Sequence, residues 1–494
     1  MHLNVLGTVR EWLAVADVAA LMYFLALNSF YALLLILSIP EIWRHWQMSE
    51  DSVLQRLLMS DALPAVSILV PAHNEEVTIT ASVLSFLTLQ YPRFEVVLVN
   101  DGSTDGTLDR LVREFDLYQV PPVYLRTIQT QAVRGVYRSR LHSKLVVIDK
   151  ANGGKADSLN AALDVARYPY VLAVDADTLV ESDALIRLAR PFLLGVPVAA
   201  VGGTIRVANS CRVEMGRIVE ARVDSRWLPG CQVVEYLRAF LFGRLGWNRL
   251  GGNLIISGAF GLFKREYLIA IGGYRTGNVT EDMDLAVRLH RYLCEHKIRG
   301  AMPFIPDPVA WTEVPASLAV LGRQRERWHR GLLATLVTHR GMLCNPRYGR
   351  IGMISMPFFV FGELIAPLVE LAGYVITVVG VILGAVSVKF AALFFAVASG
   401  YGMLLSLWAV ALEDLTFRRY RHAGDTLRLF RFIVLEGIAF RQVTVWFRLQ
   451  AFWRYVRGVE SWGGHDARGV RPPREVGRPR SYIPRGAPDS AARA

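Results

Sequence analysis

The chain has 494 residues, a net charge of +12 and 53% hydrophobic residues, so it exceeds a single ordinary domain. That apolar fraction is high for a soluble protein and modest for a pure membrane bundle, which leaves a globular core combined with membrane segments. Cys211, Cys231, Cys294 and Cys344 are scattered without a CxxC pair, which argues against a zinc site or a disulfide framework and for free thiols in a reducing compartment.

Residues 19–39 are almost wholly apolar, interrupted by Asn28 and Ser29. About 20 such residues cross a bilayer core. Only Arg10 precedes them as a basic residue and no small-residue cleavage site follows, so residues 1–45 read as a retained transmembrane helix rather than a signal peptide.

Residues 46–345 read as a globular domain. Short apolar runs at 66–70, 96–99 and 170–174 each end in polar loops, with helical patterns between them. This β-α-β rhythm predicts an α/β fold, a mostly parallel sheet with helices on both faces. Ligands of such sheets bind beyond the carboxyl ends of the strands.

Residues 346–412 turn apolar again, with two predicted spans at 364–386 and 390–412. The stretch 353–361 contains Pro357 and is either the start of the first span or a separate interfacial piece. Glu363 and Glu370 lie seven residues apart, on one helical face. Ionisable residues at membrane depth face a polar cavity or partner; the alternative is a place at the membrane boundary. Two spans return Arg418, Arg419 and Arg421 to the side of the globular region, as the positive-inside rule requires.

Residues 413–462 read as a basic cytosolic loop followed by an amphipathic interfacial helix at 432–456, and 463–494 as a disordered basic tail. From Glu413 onward there are 16 Arg against 8 Asp and Glu. Anionic lipid headgroups suit this charge; no nucleic-acid motif accompanies it.

The chemistry lies at predicted strand ends. The first strand runs into Pro71-Ala72-His73-Asn74-Glu75-Glu76 and the second into Asn100-Asp101-Gly102-Ser103. A carboxylate such as Asp101 can accept hydrogen bonds from a uracil or a ribose. Asp175-Ala176-Asp177 follows the third strand; two carboxylates so spaced can approach a diphosphate through Mg2+ or Mn2+. Lys155, after Gly153-Gly154, can add positive charge on the phosphates. Thr280-Glu281-Asp282 opens a helical pattern, with Thr280 as candidate cap and a carboxylate as candidate general base. Gln324-Arg325-Glu326-Arg327-Trp328 offers a phosphate clamp and a flat face for a sugar ring. Each motif alone has a bland reading: a helix cap, a solvated loop or an interfacial anchor.

Taken in order, Asp101, Asp175-Ala176-Asp177, Thr280-Glu281-Asp282 and Gln324 with Arg327-Trp328 resemble the processive branch of the family 2 inverting glycosyltransferases. That branch includes cellulose, hyaluronan and poly-N-acetylglucosamine synthases. The resemblance covers about residues 65–330 and implies a GT-A-type fold with flanking transmembrane helices. It implies donor contacts by Pro71, Glu75, Asp101, Lys155, Asp175 and Asp177, with Asp177 and Asp175 at the metal. It implies Asp282 as catalytic base, and Glu281, Gln324, Arg327 and Trp328 at the acceptor and diphosphate end. Ser257-Gly258-Ala259 falls where such enzymes pass near the acceptor. The implied partners are a nucleotide-sugar donor such as UDP-N-acetylglucosamine, a polysaccharide acceptor, the lipid bilayer and an accessory membrane subunit. The implied location is the inner membrane, multi-pass, with a cytosolic catalytic domain. Two alternatives stand beside this reading: single-sugar transfer to a lipid carrier, and a receptor with a degenerate transferase domain.

Overall fold

The computed structural model describes residues 2–48, 60, 62–195, 197–214 and 216–457. The predicted tail at 463–494 lies outside the described residues. The globular region is built on strands β1 (Val66–Ala72), β2 (Phe94–Asp101), β3 (Leu117–Val120), β4 (Val133–Ser139), β5 (Leu145–Lys150), β6 (Tyr170–Val174), β7 (Leu179–Val180), β8 (Ala200–Val207), β9 (Arg212–Glu214), β10 (Arg217–Glu220), β11 (Phe260–Lys264) and β12 (Phe304–Thr312). Ten of them form one sheet in the order β3-β4-β5-β2-β1-β6-β11-β8-β12-β7, and β9 and β10 form a separate hairpin.

The run β5-β2-β1-β6 is parallel throughout. β11 is antiparallel to both of its neighbours, while β8 and β12 pair in parallel. The sheet is therefore mixed, with the expected parallel part at its centre. Every residue of β2 is buried, as the near-continuous apolar run Phe94-Glu95-Val96-Val97-Leu98-Val99 requires of a strand covered on both faces.

Side chains alternate between two cores. Val66, Ile68 and Val70 of β1 join Val83, Phe86, Leu111, Phe115 and Leu188, from helices Ile79–Leu87, Thr107–Phe115 and Ala184–Leu193. Leu69 points the other way, with Leu159, Leu163, Leu285 and Leu289 from helices Lys155–Val165 and Glu281–Glu295. The GT-A-type α/β expectation thus holds in its layers.

Among the described residues, two helices are long and apolar enough to cross a membrane, over Gly7–Arg44 and Val388–Thr416. A third candidate is the pair Ile351–Leu364 and Ala366–Ile382, bent by 44°. The stretch around Pro357 is thus a distinct helical piece with π turns, angled against the segment that follows it.

Glu363 and Glu370 both find partners. Tyr31 Oη donates to Glu363 Oε1 at 2.6 Å, and Arg448 lies 3.5 Å from Glu363 Oε2. Glu370 is buried, 3.0 Å from Arg441 Nε and 2.8 Å from Tyr374 Oη. Both arginines lie on the helical stretch formed by Ala423–Leu435, Glu436–Phe440 and Arg441–Val456. This stretch packs on helices Trp227–Tyr236, Leu318–Thr338 and Ala366–Ile382. Arg441 and Arg448 turn inward on it, whereas Arg431 and Arg454 are exposed. Phe430, Val434, Ile438, Trp446 and Trp453 are exposed on it.

Candidate active site

Strand register brings the sequence motifs to one edge of the sheet. Ala72 pairs with Asn100, and Asn100 with Asp149, so β1, β2 and β5 end level. Phe260 opens β11 opposite Val174 at the end of β6. This sets Ser257-Gly258-Ala259 beside Asp175. Pro71 is the second-to-last residue of β1 and stays in register with Val99 of β2.

Lys155 is the hub. Its Nζ lies 2.5 Å from Asp175 Oδ1 and 3.2 Å from Glu281 Oε1. Enclosure in the cleft works against its charge, yet Asp175 and Glu281 hold the ammonium protonated well above the ordinary lysine range. Asp282 is fixed by two backbone donors: Gly258 N to Oδ2 at 3.0 Å and Met283 N to Oδ1 at 2.8 Å. Gly258 has a definite reason to be glycine. A Cβ there would stand 3.2 Å from Asp282 Cβ and 3.2 Å from Lys155 Nζ, tight against both.

Desolvation in the cleft raises the Asp282 carboxyl above its ordinary value; Glu281 adds to this and Lys155 opposes it. Asp177 is open to solvent, although the cleft walls surround it. Desolvation by those walls, then the negative charges of Asp175 and Glu75, push its carboxyl up to about 7. Glu75, which accepts from Thr78 Oγ1 at 2.6 Å, is raised in the same sense, first by burial. Glu75, Asp175 and Asp177 therefore crowd negative charge that favours a bound cation. Among the described residues no three His, Cys, Asp or Glu side chains are grouped as a metal site. Asp175 and Asp177 form a two-carboxylate set, which suits a cation that completes its shell with phosphate oxygens and water.

Asp101 is in place but not free. It is 3% exposed. Its Oδ1 accepts from Lys150 Nζ at 2.6 Å and from Gly153 N at 3.0 Å, and its Oδ2 from Gly154 N at 2.7 Å. The buried Lys150 also pairs with Asp157 at 2.6 Å. The carboxylate expected to meet a nucleobase thus secures the loop that presents Lys155. Thr280, expected as a cap, makes no side-chain capping bond; Glu281 and Asp282 still occupy the first turn of their helix, at its positive end.

Gln324, Arg327 and Trp328 lie on helix Leu318–Thr338. Gln324 Oε1 is buried without a hydrogen-bond partner among the described residues. Trp328 is 38% exposed. Arg325 belongs to the expected motif, but its partner Glu235 and the nearby Arg244 carried no signal in the sequence. Arg325 donates to both oxygens of Glu235, at 2.9 and 2.6 Å, and lies 4.6 Å from the centre of the Trp328 ring. Arg244, stacked 4.2 Å from the Phe240 ring, is a half-buried cation that feels the charge of Asp282; desolvation lowers its guanidinium to about 10. Glu235 and Arg325 are 90 residues apart, and no local pattern signals such a pair.

The chain is similar to two poly-beta-1,6-N-acetyl-D-glucosamine synthases. It is 29% identical to that of Staphylococcus epidermidis over 266 residues, 54% of each chain. It is 28% identical to that of Staphylococcus aureus strain COL over 273 residues, 55% of each chain. The chain spans about half the length of the curated relatives it matches. A solved mannosyltransferase from Pyrobaculum calidifontis, in complex with GDP-Man and Mn2+, overlays with a TM-score of 0.48 at 19% identity, covering 84% of this chain and 98% of that one. Residues 64–331, which hold every motif residue described above, match the family described as glycosyltransferase like family 2, and the chain belongs to that family.

Proposed function

We propose that this protein extends a β-linked polysaccharide, using a nucleoside-diphosphate sugar of the UDP-N-acetylglucosamine class as donor. The observation that carries the reading is the convergence of Lys155, Asp175, Glu281 and Asp282 at the end of the parallel strands, with Asp282 pinned by Gly258 N. The named activity of the two staphylococcal relatives supports the sugar and the polymer.

The reaction is a single displacement with inversion. An acceptor hydroxyl attacks the anomeric carbon, its proton passes to Asp282, and the bond from the anomeric carbon to the diphosphate oxygen breaks. A raised carboxyl pKa suits a base that must take up that proton. Lys155 supplies positive charge where the nucleoside diphosphate departs. Asp177 and Asp175 would hold a divalent cation, whose chemistry is to neutralise the leaving diphosphate. Trp328, held by Arg325, offers a ring face to an acceptor sugar, with Gln324 and Arg327 on the same helix. No enzyme nucleophile is needed; position and charge do the chemistry.

The apolar helices fit a multi-pass inner-membrane protein with a cytosolic catalytic domain. An accessory membrane subunit is compatible with the exposed apolar face of Ala423–Val456. The test is a donor panel. Membranes holding the protein, Mg2+ or Mn2+, and one radiolabelled nucleotide-sugar at a time are assayed for incorporation. Incorporation from UDP-N-acetylglucosamine supports the reading; incorporation from another donor alone reassigns the sugar.

A further inference from the structure

The helix that carries Gln324, Arg327 and Trp328, together with the residue that follows it, touches segment 280–284 at two separate points. At the first, Gly331 lies directly against Thr280. A Cβ on Gly331 would stand 2.7 Å from Thr280 Cβ, and Thr280 Oγ1 and Cγ2 lie closer still. Carbon atoms in ordinary contact sit roughly 3.5–4.0 Å apart, so only a glycine permits this approach. Gly331 is seven residues beyond Gln324 and three beyond Trp328, which puts all three on one helical face. At the second point His339, one residue past the helix end, meets the buried Asp284 at 3.3 Å. Arg288 Nε closes the other side of Asp284 at 2.7 Å.

We infer that Gly331 and His339 are positioning residues, which fix the acceptor-binding helix at a set distance from Asp282. This rests on the transferase reading above. Thr280 immediately precedes Glu281 and Asp282, so the Gly331 contact joins the acceptor side of the cleft to the base with no intervening layer. Asp284 joins the same two helices one turn further along. The donor groups Asp175 and Asp177 follow β6 and are not part of either contact. Displacing the helix therefore separates acceptor from base and leaves the donor side in place.

The test compares transfer with donor hydrolysis. Water can replace the acceptor hydroxyl at Asp282, so hydrolysis needs the donor, its diphosphate partners and the base but not the sugar-binding face of Trp328. Gly331→Ala forces the helix away by about 1 Å, a displacement that costs on the order of 100-fold in transfer. Donor KM and hydrolysis stay within about 3-fold of wild type, a split that a general loss of folding does not produce. Combining Gly331→Ala with Thr280→Gly removes the obstructing side chain and recovers transfer at least about 10-fold over Gly331→Ala alone, a coupling of about 1.4 kcal/mol. His339→Ala, which creates no clash, lowers the ratio of transfer to hydrolysis in the same direction and keeps the inference testable if Gly331→Ala does not fold. If wild type transfers sugar and both Gly331→Ala and His339→Ala keep its transfer-to-hydrolysis ratio, the inference is wrong while the transferase reading stands. Equal loss of transfer and hydrolysis in a folded Gly331→Ala protein, with no recovery in the double variant, also overturns it. If wild type transfers nothing from any donor, the transferase reading itself has failed.

Discussion

Replacing Asp282 with Asn separates catalysis from folding. The amide keeps the shape of the side chain and one carbonyl oxygen, so one of the bonds from Gly258 N and Met283 N survives. It cannot accept the acceptor proton. General-base catalysis is worth roughly 10²–10⁴-fold, so turnover falls by that factor. Stability moves the other way. The Asp282 pKa is raised in the folded state, so at pH values between its unfolded and folded pKa the unfolded chain binds fewer protons and stability falls as pH rises. At neutral pH the ionised group therefore costs stability, which the uncharged Asn does not. The protein is purified in detergent; donor binding is measured by calorimetry, turnover by nucleoside diphosphate release, and Tm by nanoscale fluorimetry. The expected result is donor affinity within about 3-fold of wild type, turnover down at least about 100-fold and an unchanged or higher Tm. Turnover above one tenth of wild type removes Asp282 from the role of base.

Three further outcomes follow from the same geometry. The acid limb of wild-type turnover lies above the ordinary aspartate range of about 4, because Asp282 works deprotonated and its pKa is raised; an acid limb at or below that value contradicts the assignment. Chelation with EDTA abolishes turnover and Mg2+ or Mn2+ restores it, and Asp177→Asn raises the cation concentration needed for half-maximal rate; undiminished turnover in EDTA removes the metal from the account. Glu370→Ala leaves Arg441 without its buried carboxylate and lowers stability by about 3–5 kcal/mol, whereas Glu370→Ala with Arg441→Ala together costs less than Glu370→Ala alone; additive losses in detergent melts refute a coupled pair.

The sequence made the layers and the order of the motifs legible for a physical reason. Short β-branched apolar runs such as Val96-Val97-Leu98-Val99, bounded by polar loops, fit strands buried on both faces, and those strands end where Asp101 and Asp175 stand. What lay beyond reach was the set of contacts between distant segments. Asp101 looked like a free ligand group because its partners, Lys150, Gly153 and Gly154, come from the next strand and its loop. Gly331 looked like an ordinary helix glycine because its reason is Thr280, 51 positions earlier. The mixture of apolar residues and arginines at 432–456 was legible. The direction of Arg441 and Arg448 was not, since it is set by Glu370 and Glu363 on another helix. Local patterns report burial; they do not report which buried charge meets which.

The most direct test of polymer extension is the size distribution of the product at low donor conversion. Membranes holding the wild-type protein are given radiolabelled UDP-N-acetylglucosamine with Mg2+ or Mn2+, and the product is resolved by length while most of the donor remains. The account predicts long β-linked chains from the earliest time points, absent with Asp282→Asn. A product carrying a single transferred sugar, or equal incorporation by Asp282→Asn, contradicts it.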